Sequence, residues 1–147
     1  MNNAPNAPTM ELAKPGQAIS SILHAAHALE AKVESTLGAV GLSMPKFSVL
    51  SELVATGQAL SLSELANRLS CVRSNMTQLV DRLEADGLVR RVNCPEDRRS
   101  VKAEITDLGR EKQAAGQAAY ARLDAEFGSA VGPTERNALE KMLSALK

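Results

Sequence analysis

The strongest structural signals in the sequence lie in residues 60–110, which read LSLSELANRLSCVRSNMTQLVDRLEADGLVRRVNCPEDRRSVKAEITDLGR. Near the start of this stretch, Ser61 is followed three residues later by Glu64. That spacing is typical of a capping box, in which the two side chains satisfy otherwise unpaired backbone N–H groups at a helix start. Apolar residues at helical spacing follow the cap, so the pattern predicts a short helix here.

A second helix is predicted after Ser70 and Cys71. Its apolar residues recur at helical intervals and would share one face; they are Met76, Leu79, Val80 and Leu83. Gly87 comes next, and glycine tolerates the left-handed conformation in which many helices end. We interpret Cys71 as an apolar plug in the turn between the two helices, because free cysteine usually packs as a small apolar residue.

The periodicity then changes to that of a β-strand. Residues 88–92 read as one short strand, and Val101, Ala103 and Ile105 alternate with polar residues in a second. Residues 93–95, Asn-Cys-Pro, interrupt the pattern between them. The sequence therefore predicts a hairpin with a charged tip.

Helices are also predicted on both sides of this stretch. A long amphipathic helix would run from Gln17 to about Val40, and Ser43 would cap another with Phe47, Leu50, Leu53 and Val54 facing inwards. Thr106 would cap an alanine-rich helix, and residues 132–134 would begin a last one. The expected fold class is mainly α with a small β-hairpin wing, which is the arrangement of a winged helix-turn-helix.

The predicted helix after Cys71 carries a polar face that suits base recognition. Its side chains can bind base edges in the major groove of duplex DNA, where Asn and Gln pair with adenine and Arg with guanine. The candidates are Arg73, Ser74, Asn75, Thr77, Gln78 and Arg82. On an arbitrary helix, a solvated surface face would be the favoured interpretation of such residues. Because a capped helix precedes this face and a basic hairpin follows it, DNA binding is the favoured interpretation.

The charge distribution and the aromatic content indicate which kind of nucleic acid the chain would bind. Net charge is +0 from 17 basic and 17 acidic residues, but residues 88–102 hold five basic and two acidic side chains, a local excess that suits a phosphate backbone. Aromatic residues make up only 2% of the chain, which disfavours stacking on unpaired bases and favours duplex DNA.

No signal peptide or membrane span is evident and the two cysteines are too few for a disulfide framework, so a cytoplasmic protein is expected.

Residues 60–110 resemble the signature region of the MarR family of transcriptional regulators, through DRLEADGLVRR, PEDRRS and the IT-x-x-G that follows. Residues 1–16 are rich in Asn, Ala and Pro and show no apolar periodicity, so a disordered tail is expected there. The resemblance implies a winged helix-turn-helix over 42–105 and a helical dimerisation region formed by 17–41 and 106–147. It also implies a homodimeric repressor on a pseudo-palindromic operator. In that arrangement Arg98 and Arg99 of the wing would reach the DNA, with Asp97 orienting one of them.

The resemblance further implies a small aromatic or phenolic effector, bound near His24, His27 and Phe47. Surface or interface histidines are an equally plausible interpretation. Two histidines do not make a metal site, and no cofactor is expected. The sequence departs from the family at Val72, where a small polar residue usually stands at the start of the recognition helix. The start of this helix is therefore expected to be weak or to be capped from elsewhere.

Two other functions stay open at this point. Cys94 beside the wing arginines could sense oxidants if its thiol were acidified by them. The winged helix could instead bind a protein, since a fold alone does not determine its partner. An enzyme is not expected, because the sequence contains no Gly-rich phosphate loop, nucleophile elbow or metal-ligand spacing.

Overall fold

The computed structural model describes residues 18–93 and 101–145 of the chain. Six helices and three strands follow one another in these residues. They are α1 (Ala18–Gly38), α2 (Met44–Thr56), β1 (Leu60–Ser61), α3 (Leu62–Arg68), α4 (Arg73–Ala85), β2 (Val89–Asn93), β3 (Val101–Ile105), α5 (Asp107–Ala130) and α6 (Pro133–Ser144). The predicted fold class, mainly α with a winged helix-turn-helix, is confirmed, whereas the predicted N-terminal tail lies outside the described residues.

The described chain divides into two compact units between Lys32 and Val33. The first contains the N-terminal part of α1, whose residues from Ala18 to Lys32 are all exposed. The second contains the remaining elements and the hydrophobic core. Along the described residues, every helix falls short of the length and apolar character that a bilayer crossing needs.

Local caps begin the helices at the predicted residues. Ser43 accepts a hydrogen bond from the Lys46 N–H at 3.5 Å at the start of α2. Ser61 and Glu64 form the complete capping box of α3, with both hydrogen bonds present. Thr106 accepts a hydrogen bond from the Gly109 N–H at 3.0 Å and so caps α5. These contacts span three residues each, which explains why sequence alone could predict them.

The core lies where α2, α3 and α4 meet the sheet. Its largest fully buried side chains are Leu37, Leu50, Leu53, Leu60, Leu65, Met76, Leu83, Val49, Val80 and Val89. Helix α5 packs across α2, where a Cβ at Gly116 would stand 2.9 Å from Phe47 Cδ2. In the same contact, Lys112 Nζ donates a hydrogen bond to the Val40 carbonyl oxygen at 3.0 Å.

The sheet has three strands in the order β1-β3-β2, all antiparallel. The hairpin was predicted, but the third strand was not: Leu60 pairs with Ala103 and Ser61 with Lys102. Because β1 is only two residues long, it has no alternation that a sequence pattern could reveal.

One predicted core residue lies at the edge of the core and is partly exposed. Val54 was expected to point inwards with Leu53, but 36% of its surface is exposed while Leu53 is fully buried. Consecutive residues of an α-helix point about 100° apart, so a narrow contact face that buries Leu53 leaves Val54 at its edge.

Candidate nucleic-acid interface

Helix α4 divides cleanly into a buried face and an exposed face. Met76, Val80 and Leu83 are fully buried, and Leu79 packs partly buried against the core. The six predicted base contacts lie on the exposed side: Arg73, Ser74, Asn75, Thr77, Gln78 and Arg82. The helix is therefore anchored along one stripe and presents its polar side chains to the exterior, as a helix entering the major groove must.

Most of these polar groups have no partner among the described residues. Arg73 and Arg82 form no ion pair there, and the side chains of Asn75 and Gln78 form no hydrogen bond there. Thr77 differs, because its hydroxyl donates to the Arg73 carbonyl oxygen at 3.1 Å within the helix. Amide and guanidinium groups left available in this way can form bidentate contacts with base edges.

The start of α4 lacks a side-chain cap, as the sequence predicted. Val72 is the N-cap residue, in an extended conformation, and its side chain accepts no hydrogen bond. Its surface is 66% exposed. Replacing a polar cap by an apolar residue costs a helix about 1 kcal/mol. The helix start at Arg73 lacks this contribution, although Met76 in the first turn is fully buried.

The turn between α3 and α4 is tight. Ser70 adopts a positive φ of 49°, and the Cys71 N–H donates to the Ala66 carbonyl oxygen at 2.9 Å. Cys71 packs partly buried against the core, in agreement with its interpretation as an apolar plug. An open groove of about 460 Å³ lies beside this turn, between the start of α2 and the first turns of α4.

The wing strand β2 is joined to α4 by an ion-pair cluster that sequence reasoning missed. Arg91 binds Asp81 with one guanidinium nitrogen and Glu84 with another. The hydrogen bond that Arg91 donates to Asp81, ahead of the one it donates to Glu84, raises the pKa of Arg91 above its ordinary value. Asp81 lies on the exposed side of α4, and the only sequence signal for the cluster is the i, i+3 spacing of the two carboxylates.

This pairing changes the electrostatic interpretation of the hairpin. Arg90 and Arg91 were counted towards its positive excess, but Arg90 pairs with Glu104 and Arg91 with Asp81 and Glu84. These two arginines are therefore largely neutralised by their own chain. The predicted wing contacts Asp97, Arg98 and Arg99, together with Cys94, lie outside the described residues.

The candidate effector residues occupy different surroundings. His24 and His27 are exposed on α1, and His27 Nδ1 lies 3.5 Å from Glu30 Oε2. Phe47 is only 6% exposed in the core of the second unit, where its ring stacks on Tyr120 at a centroid distance of 6.1 Å. None of these contacts tests effector binding, so the effector site stays a prediction.

The described residues contain no group of three or more His, Cys, Asp or Glu side chains placed to hold a metal ion.

Comparison with known proteins supplies the family. The sequence model of the MarR family matches residues 42–101, from two residues before α2 to the first residue of β3. The crystal structure of Sco5413, a MarR family transcriptional regulator from Streptomyces coelicolor, is 30% identical with a TM-score of 0.73, over 88% of this chain and 89% of that one. The chain belongs to the MarR family.

Other relatives of this MarR family member are also regulators. PrsX, an HTH-type transcriptional regulator of Escherichia coli, is 35% identical over 82 residues, which cover 55% of this chain and 49% of PrsX. The chain thus spans about half the length of the curated relatives it matches. The transcriptional repressor CouR, solved bound to a 23-mer DNA duplex, is 28% identical with a TM-score of 0.77, over 92% of this chain and 98% of CouR. These relatives are described as regulators of transcription and not as enzymes.

Proposed function

We propose that this chain is a transcriptional regulator that binds duplex DNA sequence-specifically through α4. The observation that carries the proposal is the exposed face of this helix, on which the side chains of Arg73, Asn75 and Gln78 have no partner among the described residues. The structural relative CouR binds a DNA duplex, which supports the same assignment. The wing residues Asp97, Arg98 and Arg99 are proposed to add contacts beside the major-groove site.

The protein is proposed to act as a homodimer. Helix α6 has no buried residue and exposes Leu139, Met142 and Leu143 by 39–52%. These positions share one helix face by their spacing of three and four. In the first unit, α1 exposes Ile19 and Leu23 to a similar or greater degree. Apolar helix faces of this kind suit burial against a second copy, and a two-fold dimer would place two recognition helices about 10 base pairs apart on a pseudo-palindromic site.

The test is selection of operator sequences from a random duplex pool, followed by anisotropy titration with excess nonspecific DNA. We expect saturable binding at two protomers per site and a steep loss of affinity between about 50 and 200 mM salt. A protein that enriches no sequence and binds all duplexes alike would contradict the proposal. Specific capture of a protein partner without any DNA binding would favour the alternative of a protein-interaction module.

Repression relieved by a small aromatic or phenolic effector is proposed as the mode of regulation in a cytoplasmic protein. An effector releases DNA only if it binds the non-operator conformation more tightly, because equal affinity for both conformations shifts nothing. Titration of the operator complex with salicylate and simple phenols tests this directly. A fall in operator affinity that His27→Ala abolishes would support the predicted site, and an unchanged affinity with every probe would contradict effector control of this chemical class.

A further inference from the structure

Two acidic side chains lie on the outer side of α4, close to its predicted base contacts. Asp81 follows Thr77 by four residues and therefore lies one turn further along the same side of the helix. Glu84 lies on the next turn, and the two side chains are 56% and 39% exposed. A free carboxylate in this position would repel the phosphates of a DNA duplex docked on α4.

Arg91 neutralises both carboxylates from the neighbouring strand. Its guanidinium group binds Asp81 Oδ1 and Glu84 Oε2 with different nitrogens, while its backbone N–H donates to Glu84 Oε1 at 3.0 Å. The side chain is only 29% exposed. Binding two carboxylates with separate nitrogens requires the planar guanidinium group, because a lysine ammonium is a single point of charge.

The strand geometry explains how Arg91 reaches the helix. In the β2–β3 ladder Arg91 is the partner of Ala103, which is fully buried, whereas Arg90 is the partner of Glu104. Partners in an antiparallel ladder share one face of the sheet, so Arg91 extends from the core-facing side and Arg90 from the opposite side. Arg91 thus joins β2 to α4 just beyond the edge of the hydrophobic core.

We propose that Arg91 is a positioning residue of the DNA interface, which neutralises Asp81 and Glu84 beside the base-reading face and fixes α4 against β2. This inference rests on the proposed DNA-binding function. It assigns Arg91 an indirect role, through two carboxylates, and requires no contact between its guanidinium group and DNA. A merely structural role would stabilise the fold in the same geometry but would leave DNA affinity insensitive to the charge of Asp81.

The experiment compares the operator affinity of Arg91→Gln with that of Arg90→Gln in the full chain. Arg90 is a matched control, because it is adjacent, carries the same charge and pairs with Glu104 on the opposite face of the sheet. We expect Arg91→Gln to weaken binding about tenfold and Arg90→Gln by about threefold or less. Adding Asp81→Asn to Arg91→Gln should recover most of the lost affinity, since it removes the carboxylate that the first change exposed.

The outcomes separate the two proposals. Equal losses for Arg91→Gln and Arg90→Gln, or no recovery with Asp81→Asn, would overturn the role of Arg91 while leaving DNA binding intact. Failure of the unsubstituted chain to select any operator would instead overturn the proposed function itself, and the inference with it. If Arg91→Gln does not fold, Arg91→Lys keeps the positive charge but cannot bind both carboxylates in the same way. Reduced affinity that Asp81→Asn restores would support the proposal, and unchanged affinity, or a loss that Asp81→Asn does not restore, would refute it.

Discussion

Gly109, in the first turn of α5, lies directly against the carbonyl oxygen of Leu88, which precedes β2. A Cβ at Gly109 would stand 2.1 Å from that oxygen and 2.8 Å from Ile105 Cγ1. The oxygen cannot easily move, because it also accepts a hydrogen bond from the Thr106 N–H at 3.1 Å. This contact brings the start of α5 against the chain that leaves α4.

Replacing Gly109 by alanine should therefore destabilise the fold. The added methyl group overlaps a backbone atom, and we expect a loss of about 3 kcal/mol in the free energy of unfolding. Gly128→Ala is the control on the same helix, since its Cβ would meet nothing within 4 Å; it should be neutral or stabilising by about 0.5–1 kcal/mol. Urea unfolding at one fixed protein concentration measures both, and equal effects would contradict the overlap.

A polar cap at Val72 should strengthen the start of the recognition helix. Val72 already has the extended backbone of an N-cap residue, with φ −68° and ψ 136°. Val72→Ser would supply the missing acceptor and should raise the free energy of unfolding by about 1 kcal/mol. Val72→Ala removes the exposed methyl groups without adding a cap and serves as the control. The hypothesis of a weak helix start fails if thermal unfolding does not separate the two variants.

The capping box of α3 should make stability depend on pH in the acidic range. The backbone hydrogen bond from Ser61 lowers the pKa of Glu64 below its ordinary value of 4.5, with a smaller effect from the Ser61 hydroxyl. A carboxyl group whose pKa falls on folding stabilises the fold above its unfolded pKa, and this contribution is lost as pH falls through the folded pKa.

Glu64→Gln tests this dependence, because the amide can still accept the hydrogen bond but cannot titrate. We expect the wild-type advantage over Glu64→Gln to be largest near neutral pH and to shrink towards about pH 3. Unfolding free energies of both proteins across this range are the measurement. A difference that stays constant with pH would show that the charge of Glu64 contributes nothing to the cap.

Asn75 should carry part of the base specificity. Its exposed amide has no partner among the described residues and suits a bidentate contact with adenine. Asn75→Ala should weaken operator binding by about 1–3 kcal/mol and relax the preference at one operator position. Asn67→Ala, at an exposed asparagine on α3, is the matched control and should leave the base preference unchanged. The measurement is the affinity of each variant for operators substituted at single positions. If Asn75→Ala keeps the base preference of the unsubstituted chain, Asn75 does not contact a base.

Helix α6 should be part of the dimer contact. Leu143→Glu places a charge on its exposed apolar face and should shift the protein towards monomers in sedimentation velocity. Asn137→Glu adds the same charge on the far side of α6, about 120° around the helix from Leu143 and about 160° from Leu139, and should leave the assembly dimeric. If both variants sediment like the unsubstituted chain, the apolar face of α6 lies outside the dimer contact.

Prediction from the sequence succeeded where the interactions are short in range. Ser61 and Glu64 bind each other's backbone within one helical turn, and Val72 lacks a cap whatever surrounds it. The buried stripe of α4 was equally predictable, because helical geometry alone places its apolar residues on one face. The division of α4 into a core face and a polar face thus followed from residue types and spacing.

Contacts between residues distant in sequence determined the features that the sequence did not predict, which are the third strand and the ion pairs of Arg91. Leu60 lies in a strand because its backbone pairs with that of Ala103. Arg91 does not add a free positive charge to the hairpin, because Asp81 and Glu84 lie beside it and form ion pairs with it. Spacing along the chain cannot encode such pairings, since they depend on how the sheet packs against α4. The sequence by itself determined the family, the helices and the candidate base-reading side chains, whereas the tertiary structure decided which charges remain free to meet DNA, because neutralisation requires two groups to be adjacent in space.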